Sequence, residues 1–171
     1  KKAEPRDYML TAAGGLPGET MKNWRCKTTN SYDLEFGFSC MGYEIAAGWG
    51  CAMAQEGKGA AGGTPIVMLG DGTYMMMNSE IATSIMMGAK LNIVVLDNRG
   101  YGCINRLQMA TGGANFNNLL MDTWHKELPD LDFAAHAQSM GAIAIKVKAV
   151  AELEAALTKT KSETRTCVIV I

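Results

Sequence analysis

Two short apolar runs, each ending in a polar turn, place the strongest constraint on the fold of this chain. Residues 65–69 (Pro-Ile-Val-Met-Leu) lead into Gly70-Asp71-Gly72-Thr73, and residues 91–96 (Leu-Asn-Ile-Val-Val-Leu) lead into Asp97-Asn98-Arg99-Gly100. Such runs, bounded by turn residues, predict buried strands. Residues 74–90 lie between them and predict a single helix. Strand, helix and strand in this order predict two neighbouring parallel strands, whose polar turns lie at the same edge of the sheet.

The two turns also predict a metal site. Asp71 and Asn98 are 27 positions apart (98 minus 71) and would supply one carboxylate and one carboxamide. Oxygen donors on short side chains suit Mg²⁺, which retains water or phosphate oxygens as further ligands. A Gly-Asp-Gly turn by itself is usually only a tight turn, because glycine tolerates positive φ and aspartate forms Asx turns. The pair of turns therefore carries the signal, and it predicts a diphosphate held through a metal ion.

Composition argues against several other classes of protein. A chain of 171 residues that is 48% hydrophobic fits one domain with a sizeable core. The net charge of −1 and the absence of a basic stripe give no support for nucleic-acid binding. No apolar run reaches the ~18–20 residues needed to cross a bilayer, so no membrane segment is expected. The five scattered cysteines form no CxxC pair, which favours reduced thiols, a cytoplasmic location and no zinc site.

The rest of the chain alternates between strand and helix patterns. Further strands are predicted at 8–12, 142–147 and 167–171, and further helices at 43–55, 131–140 and 149–162. This alternation predicts an α/β fold, a doubly wound parallel sheet with helices on both faces. Residues 19–30 and 100–128 show no clear periodicity and are interpreted as irregular; a loop as long as the second is usually functional.

The glycine-rich loops sort by the element that precedes them. Gly14–Gly18 follows a strand, so it is expected at the ligand-binding edge of the sheet, beside the two polar turns. Gly57–Gly63 follows a helix and precedes a strand, so it is expected at the opposite edge. It also lacks the Gly-Lys-Ser/Thr ending of a phosphate-binding P-loop, and we interpret it as a connector.

Several segments together resemble one enzyme family. They are residues 13–18, 24–25, 35–46, 70–74 and 91–100. They resemble the diphosphate-binding domain of the thiamine diphosphate enzymes related to acetolactate synthase, most closely the branch that hydrolyses a cyclic 1,2-dione in inositol catabolism. The family pattern pairs Gly-Asp-Gly with a later Asn-Asn. Asp97 departs from that pattern, whereas Asn98 retains it.

The resemblance implies both cofactors and the residues that hold them. The implied cofactors are thiamine diphosphate and Mg²⁺, with the metal held by Asp71, Asn98 and the backbone carbonyl of Gly100. The implied cofactor-binding residues are Gly15, Leu16, Met41, Gly42, Gly70, Asp71, Gly72, Thr73, Asn98, Gly100 and Tyr101. Met41 would support the thiazolium ring, although a methionine before a helix is equally often a core residue.

The resemblance also implies that residues 1–171 are the C-terminal domain of a larger, three-domain enzyme. We expect the chain to be a fragment, because it stops within the strand at 167–171. The family places no catalytic residue here: the activating glutamate belongs to the pyrimidine-binding domain of a second subunit. The full-length enzyme is therefore expected to be a homo-oligomer, and this chain alone is expected to be inactive.

Three functional alternatives remain open at this stage. The domain could serve an acetolactate synthase-like reaction or a 2-oxo acid decarboxylase, because segment 104–128 and the other domains determine the substrate. It could also be a non-catalytic, cofactor-binding subunit of a two-chain enzyme. Of the two histidines, His136 is interpreted as structural because it lies in a helical pattern, and nothing in the sequence positions His125.

Overall fold

The sheet at the centre of the molecule is entirely parallel, as predicted. A computed structural model describes residues 2–56, 58 and 62–171. Within these residues six strands pair in the order β2-β1-β3-β4-β6-β5. They are β1 (Tyr8–Thr11), β2 (Tyr32–Leu34), β3 (Pro65–Gly70), β4 (Asn92–Leu96), β5 (Ile143–Lys146) and β6 (Cys167–Val170).

Seven α-helices alternate with these strands in the described part of the chain. They are α1 (Leu16–Asn23), α2 (Tyr43–Gln55), α3 (Asp71–Met77), α4 (Ser79–Met86), α5 (Gly102–Ala110), α6 (Phe133–Ser139) and α7 (Val150–Lys159). Short 3₁₀ helices cover Leu120–Asp122 and Thr160–Ser162. None of the helices in the described ranges has both the length and the apolar character that a membrane span requires.

The two faces of the sheet bury separate apolar clusters. One face carries a row of side chains in register across the four central strands: Leu10, Val67, Ile93 and Val168. This row belongs to the main core, which also contains residues of α2, α4 and α6. Successive strand residues point to opposite faces, so Ile169 joins Ala156 of α7 on the other side. The helices therefore cover both faces, as the doubly wound pattern requires.

The prediction of one helix over residues 74–90 was wrong in two respects. The helix begins at Asp71, directly after β3, and it is divided at Asn78 into α3 and α4. The Asn78 amide donates to Met75 O at 3.4 Å, and the Asn78 carbonyl accepts from Ile81 N at 3.0 Å. These local bonds replace the regular i to i+4 ladder at that point.

Two segments interpreted as irregular contain helices instead. Helix α1 starts in the glycine-rich loop after β1, with Pro17 near its first position, where a missing N–H costs nothing. Helix α5 lies inside the long segment 100–128 and has no buried residue. Its Leu107 is 59% exposed, so the apolar residues of α5 do not pack into the core. The three-residue edge strand β2 was missed as well.

The predicted connector at 57–63 can be placed only in part. The backbone of Gly63 lies against Arg6 and Asp7, and Thr64 N donates to Asp7 Oδ1 at 3.1 Å. These residues precede β1 and β3, so this end of the connector lies where the strands begin, as expected. Residues 57 and 59–61 lie outside the described residues.

Two glycines of α2 provide a matched test of this packing. A Cβ on buried Gly48 would lie 2.6 Å from Val67 Cγ2 in β3, whereas a Cβ on Gly50 would meet nothing within 4 Å. We expect Gly48→Ala to lower the free energy of unfolding by about 1–3 kcal/mol through overpacking. Gly50→Ala should raise it by about 0.5–1 kcal/mol, because alanine is the better helix former. Urea denaturation of both variants checks this, and equal effects would contradict the close approach of α2 to β3.

Candidate cofactor site

An open cavity of about 640 Å³ lies beyond the carboxyl ends of β1, β3 and β4. The loops that follow these strands line it, which is where ligands bind in open α/β sheets. All the predicted cofactor residues except Gly42 are among the lining residues: Gly15, Leu16, Met41, Gly70, Asp71, Gly72, Thr73, Asn98, Gly100 and Tyr101. The structure thus brings the predicted loops together, while cofactor binding by these residues stays a prediction.

Gly42 shapes the wall without lining it. Its φ of 97° is in the left-handed region, and it forms the N-cap of α2. A Cβ here would lie 2.6 Å from Met77 Cγ, so a side chain would push α3 away from the turn. Gly42 therefore allows the chain to turn sharply after Met41, which does line the cavity.

Three oxygen-bearing groups converge where the turns after β3 and β4 meet. Asp71 Oδ2 accepts the Gly100 N–H at 2.9 Å. One terminal atom of the Asn98 amide lies 2.7 Å from Gly100 O and 3.1 Å from Asp71 Oδ1. When that atom is nitrogen, it donates to both oxygens. When it is oxygen, its separations from the Gly100 and Asp71 oxygens are close to those between adjacent ligands of an octahedral Mg²⁺ ion, roughly 3 Å.

This donor set fits a small divalent cation that keeps other ligands. It offers one carboxylate, one amide oxygen and one backbone carbonyl, leaving coordination positions for phosphate or water. Within the described ranges no group of three His, Cys, Asp or Glu residues could hold a metal. With these three oxygens from the protein, a cation at Asp71 would take its remaining ligands from water or from phosphate, as a metal–diphosphate complex provides.

Asp97, the departure from the family pattern, stabilises the turn that carries Asn98. Its Oδ1 accepts the Arg99 N–H at 3.0 Å, and its Oδ2 lies 3.1 Å from Arg99 Nε. Arg99 has a φ of 56°, an unfavourable value for a residue with a side chain. Asp130 Oδ1 contacts the same guanidinium at 3.2 Å. The two carboxylates hold Arg99 in this conformation. The next residue, Gly100, is thereby placed where its N–H donates to Asp71 Oδ2.

Gly100 needs both its missing side chain and its conformation. Its φ is 150°, and a Cβ would lie 2.5 Å from Asn118 O and 2.8 Å from Leu119 Cα. The next residue, Tyr101, donates its N–H to the same Asn118 carbonyl at 2.7 Å. The segment at 118–119 therefore packs directly on the turn, and Leu119 adds an apolar side chain to the cavity wall.

The surroundings of Asp71 disfavour a negative charge on its carboxyl group when no cation is bound. Burial raises the pKa of the Asp71 carboxyl; the Gly100 N–H partly offsets this, and the nearby Asp97 charge raises the pKa further. The carboxylate is thus held in a position that penalises its negative charge. A bound divalent cation would relieve that penalty, which is consistent with the geometry of the three oxygens.

Glu44 is a buried carboxyl group behind the cavity wall that follows Met41. It lies in the first turn of α2 and is fully buried, and its Oε2 accepts the Gly42 N–H at 3.2 Å. Burial raises the pKa of Glu44, and the N–H groups of Gly42, Ala13 and Ala12 counteract this shift. Its carboxyl group therefore lies between the turn after Met41 and the loop after β1.

Among the cavity residues that the sequence prediction missed, Arg106 of α5 is the one that carries a positive charge. Arg106 lines the cavity, and a Cβ on Gly15 would collide with its Nη2 atom. Arg106 lies in a segment interpreted as irregular, so its direction could not be deduced. Had the helix been recognised, its position directly after β4 would have placed its first two turns, and Arg106 with them, beside the cavity.

The histidines lie elsewhere. His136 Nδ1 is 2.9 Å from the hydroxyl of buried Tyr74, so its contacts are structural. His125 Nδ1 is 2.9 Å from Thr123 O, and the residue is not among those that line the cavity.

Comparisons with known proteins agree with this geometry. Residues 12–171 match the family model described as thiamine pyrophosphate enzyme, C-terminal TPP binding domain. A 3D-(3,5/4)-trihydroxycyclohexane-1,2-dione hydrolase from Geobacillus thermodenitrificans is 38% identical over 161 residues, covering 91% of this chain and 24% of that protein. The enzyme of the same name from Halalkalibacterium halodurans is 37% identical, covering 94% of this chain and 24% of that protein.

Solved structures show the same fold at lower sequence identity. The benzoylformate decarboxylase of Polynucleobacter necessarius matches 99% of this chain and 30% of its own with a TM-score of 0.84 and 22% identity. The 4-hydroxybenzoylformate decarboxylase of Rhodococcus jostii matches 99% of this chain and 30% of its own with a TM-score of 0.81 and 15% identity. The chain spans about a quarter of the length of its curated relatives. Because the family model covers nearly all of it, the chain belongs to the thiamine pyrophosphate enzymes, as their C-terminal cofactor-binding domain.

Proposed function

We propose that this domain binds thiamine diphosphate through a Mg²⁺ ion held by Asp71, Asn98 and the Gly100 carbonyl. We further propose that it serves an enzyme that hydrolyses a carbon–carbon bond of trihydroxycyclohexanedione, giving 5-deoxyglucuronate in inositol catabolism. The three converging oxygens support the metal. The substrate rests on relatives that are 37–39% identical and carry the dione hydrolase name.

Each part of the cavity has a distinct task in this proposal. When bound, thiamine diphosphate supplies a carbon nucleophile that adds to a carbonyl group and an electron sink for cleavage of the adjacent bond. Asp71, Asn98 and Gly100 neutralise and position its diphosphate end through the metal. Met41 and Tyr101 provide apolar wall against which rings can pack.

The activating carboxylate comes from another domain in this proposal. In the described part of the chain, Glu19 and Asp71 are the carboxylates that line the cavity. Glu19 is paired with Lys22 at 3.0 Å, and Asp71 is assigned to the metal. Neither is free to act on the cofactor ring, which supports a glutamate from the pyrimidine-binding domain of a second subunit in a homo-oligomer.

Exposed apolar side chains beside the cavity support the same arrangement. Phe36 lines the cavity and is 58% exposed, and Phe38 in the same loop is 90% exposed. Leu107 of α5 also lines the cavity and is 59% exposed. A patch of this kind is typical of a surface that another domain covers.

Substitution of Asp71 tests the metal assignment. In the full-length protein, Asp71→Asn should weaken Mg²⁺-dependent binding of thiamine diphosphate, because it removes the charged metal ligand. The loss should exceed the ~10–100-fold that is typical when a residue that only supports a metal ligand is replaced. Asn98→Ala should weaken binding less, since water can replace a neutral donor. Calorimetric titration measures both, and wild-type affinity in Asp71→Asn would refute the assignment.

The raised pKa of Asp71 predicts opposite effects of pH on binding and on stability. Mg²⁺ affinity should decrease as the pH is lowered, because the protonated carboxyl is a poor ligand. Since the pKa of Asp71 is raised, this decrease should begin at a higher pH than it would for an aspartate with an ordinary pKa. Without metal, the folded state holds this proton more tightly than the unfolded state, so lowering the pH favours folding. Asp71→Asn should therefore be more stable than wild type at neutral pH, and the difference should shrink in acid. Thermal unfolding of both proteins over a range of pH, with a chelator present, checks this. An Asp71→Asn variant that is less stable than wild type at neutral pH would contradict it.

The substrate proposal requires turnover by the whole enzyme. The full-length protein with Mg²⁺ and thiamine diphosphate should hydrolyse trihydroxycyclohexanedione and leave 2-oxo acids such as benzoylformate unchanged. Decarboxylation of a 2-oxo acid, or acetolactate formation from pyruvate, would replace this proposal by one of the other reactions of the family.

Residues 1–171 alone should be inactive, because in this proposal the activating carboxylate belongs to another domain. Two readouts are needed: turnover of the dione, and hydrogen–deuterium exchange at thiamine C2 followed by NMR. Exchange much faster than that of free cofactor would show that this domain carries its own activating group.

A further inference from the structure

We propose that Arg106 is a phosphate ligand of this cavity, a second positive charge that acts beside the metal ion. This inference rests on the proposed function, because it concerns the diphosphate of the same cofactor.

The position of Arg106 supports this role. Arg106 is in the second turn of α5, which follows β4, yet its guanidinium lies against Gly15 in the loop after β1. Because β3 lies between β1 and β4 in the sheet, the side chain crosses the mouth of the cavity above the β3 turn that carries Asp71. The guanidinium and the oxygen cluster therefore line the same cavity.

Gly15 makes room for the guanidinium. A Cβ at this position would collide with Nη2 and lie 3.4 Å from Cζ of Arg106. The loop after β1 thus presents backbone and open space where another residue would present a side chain. Arg106 fills that space with a group that carries five N–H donors and binds phosphate in a bidentate manner.

Arg106 has unused binding capacity. Among the described residues that line the cavity it is the single cation. The carboxylate of Glu19 is paired with Lys22, and Asp71 accepts from the Gly100 N–H. Over the described ranges, no hydrogen bond or ion pair engages the guanidinium of Arg106. Its donors are therefore available to a ligand.

The distribution of charge around the cavity favours such a ligand. Glu19 is paired with Lys22, so Asp71 and Arg106 are the wall residues whose charges face the cavity without a charged partner in the described ranges. A metal at Asp71 would supply positive charge on the side formed by β3 and β4. Arg106 would supply it on the side formed by the loop after β1.

The test compares ligands that differ only in phosphate content. The full-length protein is titrated with thiamine, thiamine monophosphate and thiamine diphosphate in the presence of Mg²⁺. Arg106→Gln should lower the affinity for the diphosphate about 10- to 100-fold, the usual effect of a charge-assisted hydrogen bond, and leave the affinity for thiamine within about twofold. Arg106→Lys should retain part of the affinity, because lysine keeps the charge but loses the planar fork.

Two further variants separate this role from general effects. Lys159→Gln in α7 removes the same charge from an exposed position outside the cavity and should leave all three affinities unchanged. Gly15→Ala displaces the guanidinium and should lower the diphosphate affinity, and the loss in the double variant with Arg106→Gln should be smaller than the sum of the two single losses.

The outcomes that overturn the proposal are equally specific. The first is that Arg106→Gln binds thiamine diphosphate as tightly as Lys159→Gln does. The second is that Arg106→Gln loses affinity for thiamine by the same factor as for thiamine diphosphate. The third is a raised KM for the substrate with unchanged cofactor affinity, which would assign Arg106 to the substrate instead. If the wild-type protein binds no thiamine diphosphate with Mg²⁺, the proposed function fails together with this inference.

Discussion

The parallel pairing of β3 with β4 is the constraint on which the site depends. In this register Gly70 pairs with Leu96, so Asp71 and Asp97 are the first residues beyond the paired strands. From there the Asp71 carboxylate reaches the N–H of Gly100 at 2.9 Å. A shift of the register would carry these two turns apart. The buried row of branched side chains across the sheet thus also fixes the separation of the proposed metal ligands.

The site combines a stable framework with unfavourable local electrostatics. Asp71 and Glu44 are buried carboxyl groups whose pKa values are raised by that burial. Arg99 adds a backbone conformation that few residues with side chains adopt. Each of these features costs folding free energy and has no packing benefit of its own. Such costs are typical of residues retained for binding, and they are concentrated where β1, β3 and β4 end.

The sequence was most informative where local chemistry determines structure. The strands at β3 and β4 and the turns at Asp71 and Asn98 were predictable, because each apolar run ends at turn-forming residues. Helix α2 was predicted at its observed bounds, Tyr43–Gln55. Helix α5 was missed because glycines stand at both of its ends and favour a loop, and none of its residues is buried in the core. The position of Arg106 was missed for the same reason. Its contact with Gly15 also joins residues far apart in the chain, which a local pattern does not reveal. The break at Asn78 depends on hydrogen bonds of that side chain and backbone, which residue pattern does not reveal.

The amide of Asn98 can satisfy the oxygen cluster in two ways with the same framework. With nitrogen inward, it donates to Gly100 O and Asp71 Oδ1 and holds both oxygens in place. With oxygen inward, it joins Gly100 O and Asp71 Oδ1 as the third oxygen that could bind the proposed cation. Exchange between the two requires rotation of one side-chain torsion and no movement of the backbone. The cluster is therefore preorganised for the proposed ion: the amide nitrogen holds both oxygens in its absence, and binding of a metal would require a local rotation instead of a loop closure.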